Sequence, residues 1–138
     1  MRKIKFRGKS MHSDEWCFGS LVNYGDGECE IQGFDVFHEG KDKWQEITVD
    51  YNTVGQFTGL RDSDGKEIYE GDVIAGKYGH LHLIRYNERE AAYTATLLNE
   101  FLHTDLQTEC AVTQRWIDET VKRVGGNVYD TPEFLKSK

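Results

Sequence analysis

The sequence predicts a mostly β fold with at most one or two short helices in its C-terminal half. Apolar and polar residues alternate along several short segments, which is the pattern of half-buried strands. Gly, Asp and Asn residues separate these segments at short intervals, as hairpin turns require. The chain has 138 residues, of which 38% are hydrophobic and 12% aromatic. This length suits one compact core, so we expect a single domain over residues 1–138.

Strands and turns are expected to follow one another through the first fifty residues. Basic and apolar residues alternate over Arg2–Arg7, which predicts a first strand with a charged outer face. After a polar turn, bulky residues over Trp16–Tyr24 predict a second strand, and the pattern restarts at Cys29. Phe34–Asp50 then predicts a strand, a turn and another strand.

The central stretch, Thr53–Ile74, is predicted to be a β-hairpin. It reads TVGQFTGLRDSDGKEIYEGDVI, with apolar-patterned runs on both sides of an acidic loop. Asp62 can accept backbone hydrogen bonds in that loop, and Gly65 can adopt positive φ. A calcium loop starting at Asp62 would need an acid at its twelfth position, where Val73 stands. A turn is therefore preferred, and the expected buried face consists of Phe57, Leu60, Ile68, Tyr69 and Val73.

Two further strands and one helix are expected after the hairpin. His80–Tyr86 and Ala91–Leu98 predict strands that are joined by a turn. The spacing of Leu and Phe residues predicts a short helix over Leu97–Gln107. The segment Val112–Val124 fits a helix or a strand.

The C-terminal end predicts a strand and a turn. The strand is expected over Val121–Tyr129, interrupted by Gly125 and Gly126. The only proline, Pro132, is expected to begin a turn whose Phe134 and Leu135 pack on the body of the protein.

Residues typical of catalytic or metal sites are few. His80 and His82 would share one strand face at metal-ligand distance, but no third ligand lies near them in sequence, so an exposed strand face is preferred. Cys17, Cys29 and Cys110 lack the spacing of a zinc or redox site and are expected to be reduced thiols. No apolar stretch approaches a membrane span, so we expect a cytoplasmic protein.

An acidic cluster lies in and beside the hairpin loop. Such carboxylates could hold magnesium for phosphoryl chemistry, which gives one alternative function, a metal-dependent hydrolase of nucleic acid or nucleotides. A solvated hairpin tip explains them more simply. We therefore expect no catalytic residue, no metal and no cofactor. The cluster consists of Asp62, Asp64, Glu67, Glu70 and Asp72.

The net charge is -7, which repels nucleic-acid phosphate at long range. Basic residues within the first ten positions could still contact a backbone, so a nucleic-acid module stays an alternative. A further alternative is an acidic decoy that occupies a host nucleic-acid-binding protein. These basic residues are Arg2, Lys3, Lys5, Arg7 and Lys9.

Three stretches together resemble the YopX family of phage and prophage proteins. They are MRKIKFRG at the start, TVGQFTGLRDSDGKEIYEGDVI in the centre and VGGNVYDTPEFL near the end. At Gly125 the chain departs from the family, whose members usually have an apolar residue there. The signature residues, with an expected structural role, are Gly55, Gln56, Phe57, Thr58, Gly59, Leu60, Asp62, Gly65, Lys66, Ile68, Tyr69, Glu70, Gly71, Asp72, Gly126, Asn127 and Pro132.

The resemblance implies a mostly β, barrel-like protein of phage or prophage origin with no established activity and no agreed catalytic residues. Together with the missing catalytic motifs, it predicts a non-enzymatic module in the bacterial cytoplasm that binds a macromolecular partner, either a host or a phage protein. Because short strands leave many sheet edges, a homo-oligomer is expected as well.

Overall fold

The computed structural model describes residues 2–98, 109–119 and 121–135. The chain divides into two compact units, Met1–Phe57 and Thr58–Lys138. Strands make up 52% of the structure and helices 11%, which confirms the mostly β prediction. The described strands form two antiparallel sheets but no closed barrel, so the barrel-like part of the prediction is wrong as far as these residues show.

The first unit is an antiparallel sheet with strand order β4-β3-β2-β1-β5. One isolated bridge, between Ser10 and Val49, links the chain after β1 to β4. A single bridge does not make a strand pair, which is why the sheet stays open at β4. The strands are β1 (Phe6–Lys9), β2 (Trp16–Gly25), β3 (Glu28–Phe34), β4 (Trp44–Asp50) and β5 (Gly55–Arg61), the last of which continues into the second unit.

The core of the first unit is formed by side chains that alternate along β2, β3 and β4 and by Val36, which follows β3 in the chain. The fully buried members are Cys17, Cys29, Ile31, Val36 and Val49. The opposite faces of the same strands therefore point away from this core.

The first strand begins later than predicted, at Phe6 instead of Arg2. Arg7, expected on a charged outer face, is only 7% exposed. Its guanidinium carbon lies 4.7 Å from the ring centroid of Trp16, and the ammonium of Lys9 lies 5.6 Å from the same centroid. Stacking on an indole explains how a charged side chain is buried here.

The second unit is a five-stranded antiparallel sheet with strand order β10-β9-β8-β7-β11, and β6 pairs with the end of β5. One helix, α1 (Gln114–Glu119), lies between β10 and β11 in the chain. The buried core consists of Ile68, Ile74, Ile84, Ala95 and Ile117. The strands are β6 (Glu67–Tyr69), β7 (Asp72–Ala75), β8 (Leu81–Asn87), β9 (Ala92–Leu97), β10 (Glu109–Ala111) and β11 (Arg123–Asn127).

A helix is predicted over Leu97–Gln107, but Leu97 is the last residue of β9. Positions 99–107 of the predicted helix lie outside the described residues. The ambiguous stretch after it contains both α1 and the start of β11. The strand expected over Val121–Tyr129 is found as Arg123–Asn127, with a bulge between Val124 and Gly126.

The C-terminal turn predicted at Pro132 is a short 3-10 helix, Pro132–Leu135. Phe134 is half-buried, but Leu135 is 56% exposed, so the predicted packing of Leu135 on the body is wrong. The Phe134 ring lies beside Gly126 of β11, where a Cβ added to that glycine would be 3.2 Å from it, whereas the next residue, Leu135, is exposed. In the described part of the chain no helix is long and apolar enough to cross a membrane.

Candidate functional site

The central hairpin contains most of the signature residues, and the structure places them in strands and turns. β5 ends at Arg61 and β6 begins at Glu67, which confirms the predicted hairpin loop. Gly65 has a φ of 83°, as the loop requires. The strand members of the signature are Gly55, Gln56, Phe57, Thr58, Gly59 and Leu60 on β5, Ile68 and Tyr69 on β6, and Asp72 on β7; Lys66 and Glu70 flank β6.

Asp62 is a buried carboxylate that holds the hairpin loop and β11. One carboxylate oxygen, Oδ1, accepts hydrogen bonds from the backbone N–H groups of Asp64 at 2.9 Å and Lys66 at 2.8 Å. The other oxygen, Oδ2, accepts one from the N–H of Val124 at 2.9 Å. These three bonds give Asp62 a folding role, since its oxygens face the chain itself.

Asp72 and Gly71 form a second tight turn. The Asp72 side chain is 1% exposed and accepts a hydrogen bond from the backbone N–H of Tyr69 at 2.8 Å. Gly71 has a φ of 90°, and a Cβ added there would lie 2.6 Å from Cε2 of Tyr129. Only glycine fits this position, because both the backbone conformation and the space exclude a side chain.

The C-terminal signature residues form a related turn. Oδ1 of Asn127 accepts hydrogen bonds from the N–H groups of Tyr129 at 3.0 Å and Asp130 at 2.8 Å. Asn127 also pairs with Asp72 across β11 and β7, and Gly126 lies at the bulge. Pro132 begins the 3-10 helix that follows.

Two further carboxylates of the acidic cluster, Asp64 and Glu67, have side-chain partners. The Asp64 carboxylate contacts Nε of Arg123 at 2.9 Å. The Glu67 carboxylate contacts Arg61 at 3.5 Å and accepts a hydrogen bond from the hydroxyl of Tyr69 at 3.2 Å. Among the described residues, no group of three or more His, Cys, Asp and Glu side chains could hold a metal ion.

The sequence suggested that His80 and His82 share an exposed strand face, but the structure shows that they do not. β8 begins at Leu81, so His80 lies in the preceding loop and is exposed, whereas His82 is half-buried. The His82 ring packs edge-on against Trp116 with 5.2 Å between centroids. Burial, together with smaller effects of the nearby Lys122 and His80, lowers the pKa of His82 to about 4. His82 is therefore neutral at pH 7.

Lys122 is a buried residue that sequence patterns did not single out. It is 5% exposed, and its ammonium lies 4.1 Å from the ring centroid of Trp116. The ammonium also donates a hydrogen bond to the carbonyl of Trp116 at 3.2 Å. Burial lowers the pKa of this ammonium. The sequence signal that could have pointed to Lys122 is its position just after a helix, because basic residues there bind the last carbonyls of helices.

The first unit contains an open groove with a volume of about 680 Å³. Its walls include three carboxylates and two tyrosines that are 61% and 53% exposed, Tyr24 and Tyr51 respectively. We call this the acidic groove and define it by Tyr24, Glu28, Glu30, Thr48, Asp50 and Tyr51.

Strand register brings the residues of the acidic groove onto one face. Glu28 pairs with Asp50 and Glu30 pairs with Thr48 across β3 and β4. Residues two apart on a strand point the same way, so these four side chains leave the sheet together, opposite to the buried Cys29 and Val49.

Hydrogen bonds fix the two ends of the acidic groove. The Tyr24 hydroxyl donates to the Glu30 carboxylate at 2.5 Å, and this bond raises the pKa of Tyr24. The Asp50 carboxylate accepts a hydrogen bond from the N–H of Asn52 at 3.0 Å and so caps the short 3-10 helix Tyr51–Thr53. Carboxylates between exposed aromatic rings are suited to binding a cationic group by ion pairing and cation–π contact.

The same face extends along β3 and β4 to an aromatic pair. Gln32 pairs with Glu46, and Phe34 pairs with Trp44. The rings of Phe34 and Trp44 are edge-on with 5.2 Å between centroids, and the two residues are 63% and 47% exposed. The face therefore has an apolar end and an acidic end.

The cysteines contribute no reactive thiol to this face. All three are free, and Cys17 and Cys29 are buried in the core behind the sheet. Burial raises the pKa of the Cys17 thiol to about 11, with a smaller contribution from Glu15. A thiol with this pKa stays protonated and is a poor nucleophile at neutral pH.

Comparison with known proteins points to the same family as the three sequence motifs. The family model described as YopX protein matches residues 5–136. No curated protein matches the chain. Three chains of solved structures match, and one of them is the crystal structure of protein EF1440 from Enterococcus faecalis. That protein is 21% identical with a TM-score of 0.56, covering 99% of this chain and 100% of its own, which supports the fold alone.

Proposed function

The chain belongs to the YopX family, and we propose that it is a non-enzymatic module of phage or prophage origin that binds a basic macromolecular partner through the acidic groove. The family match over residues 5–136 supports treating the chain as one functional domain. The proposed place of action is the cytoplasm of the bacterial host.

The observation that carries this proposal is the combination of charge and exposed aromatic surface in the acidic groove. Glu28 is exposed, whereas Glu30 and Asp50 are half-buried. Water therefore screens the charges of Glu30 and Asp50 only partly. Tyr24 and Tyr51 are more exposed than a folding role requires. Tyrosine is enriched at protein interfaces because it buries a large area at a small cost in conformational entropy.

The groove also favours one alternative, the acidic decoy. A host protein that normally binds nucleic acid presents Lys and Arg side chains, which the carboxylates of Glu28, Glu30 and Asp50 would pair with in place of phosphates. In that case DNA would compete with the protein for the host partner.

The experiment measures binding of a fluorescently labelled ten-residue peptide of alternating Lys and Thr by anisotropy at low ionic strength. The double variant Glu30→Gln/Asp50→Asn removes two groove charges and keeps the shape and one acceptor oxygen of each side chain. We expect the Kd to rise about fivefold, since each partly exposed charge pair contributes about 0.5 kcal/mol.

The matched control is Glu88→Gln/Glu90→Gln, which changes the net charge equally at two exposed residues of the second unit. We expect less than about a twofold change in Kd for it, because only long-range charge is altered. Equal weakening by the two double variants would contradict a binding role of the groove.

A further inference from the structure

The outer edge of β4 is open over its first half. β4 is the last strand of its sheet, with β3 as its neighbour on one side. On the other side, the Thr48 carbonyl accepts a hydrogen bond from the N–H of Met11 at 3.0 Å, so the peptide groups of Thr48 point away from β3. Because these directions alternate along a strand, the N–H and C=O groups of Glu46 and Trp44 also point outward.

Within residues 2–57, the backbone contacts on this outer side are the Ser10 bridge and the Met11 hydrogen bond, and both lie in the second half of β4. The chain turns after Met11 and does not continue along the strand. An edge of about four residues, Trp44–Ile47, is thus left with its backbone groups available to another chain.

The side chains next to this edge define what could bind there. On the face that carries the acidic groove, Trp44 gives an apolar contact at one end and Glu46 gives a carboxylate two residues further on. Glu30 follows on the neighbouring strand. An added strand would therefore meet an apolar site and then acidic sites at alternate positions.

We propose that the β4 edge Trp44–Ile47 binds an extended basic segment of the partner as an added β-strand, with an apolar residue against Trp44 and basic residues at alternate positions against Glu46 and the acidic groove. This inference rests on the function proposed above and names the class of partner. Backbone hydrogen bonds to the edge provide affinity, and the alternating side chains provide the register.

Charge argues against a second copy of the chain as the occupant. A second β4 edge would bring its own Glu46 and groove carboxylates to the same place, so like charges would face each other. A basic segment meets the opposite charge.

The test uses the full chain and two single substitutions at one position. Glu46→Gln removes the charge and keeps the outward N–H, whereas Glu46→Pro removes both. Proline is tolerated where the strand N–H faces solvent, so the ladder with β3 is expected to survive, which circular dichroism and thermal unfolding would check. The probe is a labelled nine-residue peptide with one Leu followed by Lys at alternate positions, separated by Thr.

We expect Glu46→Gln to raise the Kd of this peptide about twofold and Glu46→Pro to raise it a further fivefold or so, the equivalent of one lost hydrogen bond. Equal Kd values for the two variants would overturn strand addition. If the two Glu46 variants had equal Kd values but the groove double variant still weakened binding, strand addition would be wrong and the function proposed above would stand.

A second measurement does not depend on the folding of the proline variant. Two versions of the peptide carry backbone N-methyl groups on its odd or its even residues, and both are titrated against the unaltered protein. Because only alternate N–H groups of an added strand face the edge, we expect one version to lose binding and the other to retain it. An equal effect of both versions, or a dimer in light scattering that Glu46→Pro dissociates while the peptide fails to bind, would overturn the proposal.

Discussion

At the scale of single residues, the hairpin loop depends on the carboxylate of Asp62. Its three hydrogen bonds join the loop to β11, which is 62 residues away in sequence at Val124. Asp64, two residues later, is exposed and makes a surface ion pair with Arg123. Asp62 and Asp64 are thus expected to contribute very differently to the free energy of unfolding.

Replacing Asp62 by Ala leaves three backbone N–H groups without their acceptor. We expect Asp62→Ala to lower the free energy of unfolding by about 3 kcal/mol. The matched control Asp64→Ala should lower it by less than about 1 kcal/mol, because exposed ion pairs contribute little. Urea denaturation followed by circular dichroism measures both values, and similar losses for the two variants would contradict the role assigned to Asp62.

At the scale of elements, the contact between β8 and α1 depends on a neutral histidine. His82 of β8 packs against Trp116 of α1, and Lys122 lies over the same indole ring. The charged groups that act on His82 are Lys122 and His80, and both disfavour its protonation. A protonated His82 would bring a second positive charge into this buried contact.

This arrangement predicts that stability falls in mild acid. The pKa of His82 is about 4 in the folded state, against an ordinary value of 6.5, so the unfolded chain binds the proton first as pH falls. The stabilisation is complete above pH 6.5 and is lost between pH 6.5 and pH 4. Allowing for partial exposure, we expect His82 to account for about 1–2 kcal/mol of lost stability between pH 7 and pH 5.

The measurement compares urea denaturation at pH 7 and pH 5 for the unaltered chain, His82→Phe and His80→Gln. The fall in the free energy of unfolding should be smaller in His82→Phe, because phenylalanine binds no proton. It should persist in His80→Gln, whose side chain is exposed. The same pH dependence in all three proteins would show that His82 is not the group that titrates.

At the scale of the whole molecule, local patterns in the sequence predicted most strands and turns. The hairpin around Asp62–Lys66 was predictable because its turn chemistry lies within a few residues. The burial of Arg7 was not, since it depends on the ring of Trp16 across a strand pair. The acidic groove was missed for a similar reason: Tyr24 and Tyr51 come together only through the pairing of three strands.

The measurement that tests the central claim most directly is a two-dimensional ¹⁵N NMR titration of the full chain with the alternating Lys-Thr peptide at low ionic strength. We predict that the largest shifts of backbone amides fall in the acidic groove, at Tyr24, Glu30 and Thr48–Asn52, and along the adjoining β4 edge Trp44–Ile47, while the amides of the loop Asp62–Lys66 stay in place. Shifts that centre on Asp62–Asp72, or that spread evenly over all acidic parts of the chain, would contradict the account.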